Sequence, residues 1–280
     1  MEYQLFSPPA ILQPVVKYIW VLKNNTSDNF PATFTPLADG CPGIMFQQRE
    51  KGQFYMEDKK ELPDIFLYGQ TIEPVKMYST GPLETVGVCF HPHALQAVFG
   101  IDAHELTGNC VDFGLLQHKK ERHLSEKLFA AKTIEEQINA LSGGLLQCMQ
   151  RTGNRQDAIT QFALAEIAKH KGTVSFKALH QKMQLSERTF ERRFKQSIGI
   201  SAKLYSRIIQ FQDSLNQLRK NNYQKLSDVA YENNYADQSH FIRSFKEFAG
   251  VSPFDYRKQL NEVAENFPSV VTLQALRTSF

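Results

Sequence analysis

Arginine, glutamine and serine recur in one arrangement at two places in this chain. Residues 186–205 read SERTFERRFKQSIGISAKLY and residues 237–256 read DQSHFIRSFKEFAGVSPFDY. At an offset of 51 residues, Phe190 aligns with Phe241, Arg192 with Arg243, Phe194 with Phe245 and Lys195 with Lys246. Gly199, Ser201 and Tyr205 fall on Gly250, Ser252 and Tyr256. On a helix, Phe190, Phe194 and Ile198 share one face, as do Phe241, Phe245 and Phe248. Arg188, Glu191 and Arg192 are then left outside in the first copy, and Gln238, Ser239, Ile242 and Arg243 in the second. Such a surface can read base edges in a DNA major groove. The arginine fork matches guanine O6 and N7, glutamine pairs with adenine, and an exposed isoleucine meets a thymine methyl. Ser186, Lys195, Asp237 and Lys246 are the candidates for phosphate contacts.

Local elements must hold these side chains in place. Each copy is preceded by a short periodic segment and a tight turn, SFKALHQKM-QL in the first and LSDVAYEN-NY in the second. Short helix, turn and second helix make the helix-turn-helix pattern. Ser175, Ser186, Ser227 and Asp237 are expected to cap helix starts, and Gly199 and Gly250 to stop helices. A solitary amphipathic helix with solvated charges would look like either copy alone; the duplication of caps, aromatics, arginine and terminal glycine argues for a repeated binding unit. Charge agrees. Residues 155–262 carry 18 Lys+Arg against 11 Asp+Glu, a balance of +7, while the rest of the chain stands at −4. A basic module beside a mildly acidic one suits a polyanion partner.

Residues 158–260 closely resemble the tandem helix-turn-helix domain of AraC/XylS-type bacterial transcription regulators. The resemblance rests on Leu185-Ser186, Phe190, Arg192, Phe194-Lys195, Gly199 and Arg207, and then on Val229-Ala230, Phe241, Arg243, Phe245-Lys246, Gly250, Ser252-Pro253 and Tyr256-Arg257. It implies that both recognition helices enter successive major grooves on one face of double-stranded DNA, joined by a long helix over 202–218. It also implies a homodimer, with RNA polymerase and a small-molecule effector as further candidate partners, and an activator as the role. Three residues depart from the family pattern. His180 stands where a small residue is usual and is expected to loosen the first helix pair, and Gln184 and Asn234 replace the usual turn glycines.

The front of the chain reads differently. Segments at 43–48, 52–58, 64–70, 74–80 and 84–90, separated by turn residues, predict short strands at a spacing near ten residues. That spacing suggests a small antiparallel barrel or sandwich. In the last segment Val86, Val88 and Phe90 take one face, and Gly87 and Cys89 the other. A helical pattern follows over 93–99, and two amphipathic helices over 118–150. Thr133-Ile134-Glu135-Glu136 is a capping box. The apolar stripes Leu124/Leu128 and Ile134/Ile138/Leu141/Leu145/Met149 call for cover, either from a second copy or from the β-rich part. Gly143-Gly144 interrupts the second stripe. The run LPDIFLYGQ with FHPHALQAVFG resembles a cupin-like subset of sensor regions.

The expected fold class is α+β multidomain: a β-rich cupin-like barrel with a helical hairpin over 1–150, a linker over 151–157, an all-α domain with two helix-turn-helix units over 158–262, and a tail over 263–280. His91-Pro-His93 could open a cupin metal site, but no glutamate follows at the needed spacing. Cys41, Cys89, Cys110 and Cys148 have no paired-ligand spacing, which argues against a zinc-bound alkyl-acceptor site. Phosphate loops, nucleophile elbows and zincin motifs are missing. The expectation is therefore no catalytic residue, no metal and no cofactor. Without an apolar run long enough for a membrane span or a signal segment, a cytoplasmic protein is expected.

Overall fold

A computed structural model describes residues 2–24, 32–48, 50, 52–56, 61–79, 81–116, 122–153, 157–221 and 223–259. Among these residues nine strands come first: β1 Glu2–Phe6, β2 Val16–Asn24, β3 Ala32–Phe34, β4 Gly43–Gln47, β5 Phe54–Met56, β6 Ile65–Tyr68, β7 Met77–Ser79, β8 Leu83–Phe90 and β9 Cys110–Asp112. Ten α-helices follow among the described residues: α1 Phe113–Leu116, α2 Arg122–Ala130, α3 Ile134–Thr152, α4 Ala158–Lys169, α5 Phe176–Met183, α6 Glu187–Ile198, α7 Ala202–Arg219, α8 Leu226–Glu232, α9 Gln238–Ala249 and α10 Pro253–Gln259.

The strands form two antiparallel sheets, a six-stranded one in the order β1-β2-β8-β4-β6-β9 and a three-stranded one in the order β3-β7-β5. The β-rich class agrees with the sequence reading, but the expected barrel is not closed among the described residues: the sheets have separate edges. The two faces of β8 divide as the alternation predicts. Val86, Val88 and Phe90 enter one core with α2 and α3, whereas Cys89 enters a second core between the sheets. Gly87 is required there, because a Cβ would lie 2.2 Å from the Trp20 ring of the neighbouring β2.

The helical stripes find their cover inside the chain. Leu124, Leu128, Leu141, Leu145, Cys148 and Met149 share a core with Ile19, Val21, Ile44, Val86 and Val88 of the large sheet. The stripes are therefore no dimer seam; the hydrophobic driving force that suggested one is satisfied by the β-domain. The Thr133 capping box forms, with the Glu136 amide donating to Thr133 Oγ1 at 3.2 Å and the Thr133 amide to Glu136 Oε2 at 3.3 Å. Gly143-Gly144 does not interrupt α3. At Gly144 the helix lies so close to α2 that a Cβ would approach Leu124 to 2.7 Å.

The linker is shorter than its composition suggests. Arg151 and Thr152 belong to α3, Gly153 closes it in the left-handed conformation at φ 68°, and Asp157 already caps α4. Residues 154–156, 118–121 and the expected tail 263–280 lie outside the described residues. The helical pattern expected over 93–99 is realised as the short π-helix Leu95–Phe99. Among the described residues no helix is long and apolar enough to cross a membrane.

Candidate nucleic-acid interface

The two helix-turn-helix units are α5–α6 and α8–α9, and α7 lies between them in sequence. Ser175, Ser186 and Asp237 cap α5, α6 and α9 as expected. Ser227 does not cap α8. That helix starts at Leu226, and the Lys225 amide donates to Asp228 Oδ2 at 2.9 Å, so the aspartate supplies the cap from inside the first turn.

The turns repeat at a different offset from the recognition helices. The Leu185 amide donates to His180 O at 3.2 Å and the Gln184 amide to Gln181 O at 3.2 Å. Fifty residues on, the Tyr235 amide donates to Ala230 O at 2.9 Å and the Asn234 amide to Tyr231 O at 3.0 Å. Gln184 and Asn234 both adopt positive φ, 53° and 59°, so they take the left-handed turn position of the usual glycine. The second unit then inserts one residue, Ala236, before its cap, which restores the 51-residue offset of the helices themselves. His180 sits opposite Ala230 in this scheme. It does not leave a gap, because its ring packs 4.9 Å from Phe190 and 6.4 Å from Phe176.

The inner faces of α6 and α9 are aromatic and fully buried. Phe190 and Phe194 are 0% exposed, as are Phe241 and Phe245. Phe194 meets Tyr205 of α7, and Phe245 meets Phe211 of α7 and Tyr256 of α10. Arg207 ties α7 to α9 by pairing with Glu247 and lying 5.1 Å over the Phe248 ring. These contacts fix how each recognition helix rotates about its axis.

The outer faces follow from that rotation. Arg188, Arg192, Gln238, Ser239 and Arg243 are exposed, and Glu191 and Ile242 are half-buried at the edge of the same faces. Lys195 and Lys246 are exposed in the last turns. Ser186 Oγ accepts the Thr189 amide at 3.3 Å, and Asp237 Oδ1 accepts the His240 amide at 2.7 Å. Both caps therefore have a structural task. A carboxylate only accepts hydrogen bonds, so any phosphate contact at Asp237 falls to nearby N–H groups and not to its side chain.

The far ends of both recognition helices rest on the N-terminal domain. Ser197 Oγ donates to Gln96 Oε1 at 2.9 Å, and Thr107 Oγ1 donates to Gly199 O at 3.1 Å. The Ala38 amide donates to Phe248 O at 3.2 Å. Gly199 (φ 89°) and Gly250 (φ 77°) both close their helices here. A Cβ on Gly199 would meet Gln70 and Thr107 at 2.5 Å, and one on Gly250 would meet Pro74 at 3.1 Å.

Beneath this junction lies a cavity of about 700 Å³. Trp20, Phe34, Met45, Phe66 and Met77 line it from the β-domain, and Gln212, Leu215 and Arg219 of α7 reach it from the other side. Lys17, Asp39 and Cys89 bring the polar groups. The Cys41 sulfur, with Cys89 and Asp39 beyond it, holds the Lys17 ammonium above the usual lysine range. Burial pushes the Asp39 carboxyl up, and Lys17 opposes that shift. No spacing in the sequence brings these groups together. A lysine inside the apolar run VVKYIWVL and the tight Asp39-Gly40-Cys41 sequence were the available signals. His91 and His93, weighed as metal ligands, instead stack at 6.1 Å with an 11° tilt.

Residues 179–259 match the family described as Helix-turn-helix domain, of the AraC type, and residues 4–112 match the one described as Domain of unknown function (DUF6597). No curated protein matches the sequence. Among solved structures, ToxT from Vibrio cholerae O395 bound to (E)-4-(8-methylnaphthalen-1-yl)but-3-enoic acid is similar at 12% identity, over 86% of this chain and 99% of that one, with a TM-score of 0.48. The C-terminal domain of AraT, a response regulator from Geobacillus stearothermophilus, is similar at 23% identity, over 42% of this chain and 93% of that one, with a TM-score of 0.35. The DNA-binding domain of AdpA, a global transcriptional factor in complex with a target DNA, is similar at 20% identity, over 37% of this chain and 93% of that one, with a TM-score of 0.34.

Proposed function

We infer that this protein is a sequence-specific DNA-binding transcription regulator, since its C-terminal region is an AraC-type helix-turn-helix domain. The observation that carries the reading is the pair of recognition helices, α6 and α9, each with a buried aromatic face and an exposed Arg-bearing one. Each subunit reads two successive major grooves. Arg188, Glu191 and Arg192 face bases in one, and Gln238, Ser239, Ile242 and Arg243 in the next. Ser186, Lys195, Asp237 and Lys246 lie toward the phosphates. The connecting α7 has 18 residues, about 27 Å of helix at 1.5 Å per residue, close to the 34 Å or so that separates successive grooves on one DNA face.

The N-terminal domain senses a small molecule in the cavity under the junction. Its volume of about 700 Å³ lies within the range of small-ligand sites, and its walls are mainly apolar with a few polar groups. The cavity favours this over a domain that only dimerises. Two copies and RNA polymerase complete the reading as partners; neither uses the α2–α3 stripe, which is buried.

Selection of bound fragments from random double-stranded DNA by the intact protein tests the reading. A defined two-part motif is expected, with log affinity falling against log salt by about 0.9 for each phosphate contact. Enrichment of no motif, or an affinity indifferent to salt, contradicts it. The chain holds a single tryptophan, Trp20, and it lines the cavity. Its fluorescence reports effector screening directly.

A further inference from the structure

Cys41 and Cys89 are 48 positions apart in sequence, but β4 and β8 pair with Gly43 opposite Cys89, and this brings the two sulfurs together. Asp39 joins them through the tight turn at Gly40, φ 66°. The Cys41 amide donates to Asp39 Oδ1 at 2.9 Å, which points the carboxylate back over the same spot. One carboxylate oxygen and the two Sγ atoms all lie within 4.8 Å of one another. A tetrahedral zinc-class ion with metal–sulfur bonds near 2.3 Å and metal–oxygen bonds near 2.1 Å wants its ligands about 3.6–3.8 Å apart. Small side-chain adjustments close that difference.

The surroundings are suited to a dication. Lys17 Nζ donates to Cys41 Sγ at 3.8 Å, the kind of outer hydrogen bond that orients and tunes a thiolate ligand. A dication entering this site displaces the two thiol protons, so two S–H bonds break, two metal–sulfur bonds form, and the net charge of the buried cluster does not change. Asp39 and Cys89 also border the cavity, which leaves a path for the ion and an open side for a fourth ligand.

We propose that Asp39, Cys41 and Cys89 form a site for a soft divalent cation of the zinc class, and that its occupancy is felt by the DNA-binding domain. The second half follows from what the Asp39 turn touches on its outer side. Ala38 bonds Phe248 O at the end of α9, and Gln212 Nε2 of α7 donates to Ala38 O. At Gly40 a Cβ would lie 3.1 Å from the Tyr205 ring of α7. A metal pulling on Asp39 and Cys41 therefore pulls on residues wedged against both α7 and α9.

The test uses the intact, reduced, chelator-treated protein titrated with Co²⁺ without oxygen. One equivalent is expected to give a thiolate-to-cobalt charge-transfer band, which one equivalent of Zn²⁺ removes. Cys89→Ser should roughly halve or abolish the band, Asp39→Asn should weaken cobalt binding at least tenfold, and Cys148→Ser should leave both unchanged. A wild-type protein with no band overturns the site, whatever the variants do. So does a band that keeps its full intensity in Cys89→Ser, or recovery of a Cys41–Cys89 disulfide in place of two titratable thiols. The coupling half rests on the DNA-binding reading and has its own measurement, affinity for the selected fragment with and without one equivalent of Zn²⁺. A change of at least threefold is expected, and equal affinities overturn the coupling while leaving the cobalt result standing.

Discussion

Arg192 and Arg243 each stand two residues beyond a buried phenylalanine, about 200° round the helix from it, and both are exposed. Arg192→Ala and Arg243→Ala are expected to melt like the wild type and to lose about 1–3 kcal/mol of operator affinity if the arginine reads a base. A phosphate role gives a similar loss on every sequence and a salt slope flatter by about one. Phe194→Ala is the contrasting variant. It empties a fully buried ring position and should cost about 3–5 kcal/mol of stability, so its binding defect should track unfolding in a thermal melt. Another single residue predicts a pH effect. Burial, reinforced by the neighbouring His91, lowers His93 to about 4 from an ordinary 6.5. The unfolded chain therefore binds a proton between those values that the folded chain refuses, and stability falls as pH drops from 6.5 toward 4. The shift corresponds to up to about 3 kcal/mol, and His93→Gln should flatten that part of a stability-versus-pH curve. At this scale the sequence was informative wherever a side chain's role depends on its own helix. The faces of α6 and α9 could be read from period alone. Lys17, Asp39, Cys41 and Cys89 could not, because strand pairing and not spacing brings them together.

Elements were legible in proportion to their periodicity. The tandem helices, the Thr133 box and the strands from β4 to β8 all carry alternation, heptad-like spacing or turn residues. The strand β2 carries none of these signals. Its residues Ile19 to Leu22 are all buried, so the run is apolar throughout and resembles a buried helix as much as a strand. β3 and β9 have three residues each, like β5 and β7, but lack the evenly spaced turn residues that bracket those two. The start of α8 was misplaced for a different reason: Asp228 caps it from within, whereas Ser227 looked like the usual boundary residue. A prediction at this scale concerns the paired helix stops. Gly199→Ala places a Cβ at positive φ and against Ala103 O at 2.8 Å, a backbone atom that cannot swing aside. Gly250→Ala meets only the Pro74 ring at 3.1 Å. Left-handed strain costs each about 1–2 kcal/mol, so calorimetry should show Gly199→Ala as the more destabilised of the two by at least about 1 kcal/mol. Equal losses would mean that the contact with the N-terminal domain yields freely.

At the scale of the whole molecule, the sequence separated two domains and hid how they meet. The polar, glycine-bearing stretch over 151–157 marks a linker and nothing about how the two sides meet. The Ala38 turn, Gln96 and Thr107 bond directly to α6, α7 and α9 or to the residues that close them. No single-sequence signal marks such contacts, since each partner is an ordinary polar residue. The same long-range pairing encloses the cavity, whose walls run from Tyr3 of β1 to Arg219 of α7, 216 positions apart in the chain.

Two reading heads whose rear ends are seated on one rigid base have a fixed gauge. Gly199 and Gly250 bear on the same domain through different residues, so α6 and α9 cannot turn relative to each other without unseating one of them. DNA offers no matching tolerance. Each added base pair advances the second site by about 3.4 Å and rotates it by about 35° round the duplex axis. Inserting or deleting one base pair between the two parts of the operator should therefore abolish simultaneous engagement and leave the affinity of a single helix-turn-helix unit. A full turn of inserted DNA should not restore it, because the phase returns but the distance does not. Measured on the selected fragment, affinity that survives a one-base-pair insertion within threefold would show that the seats slip and that spacing is set by α7 alone.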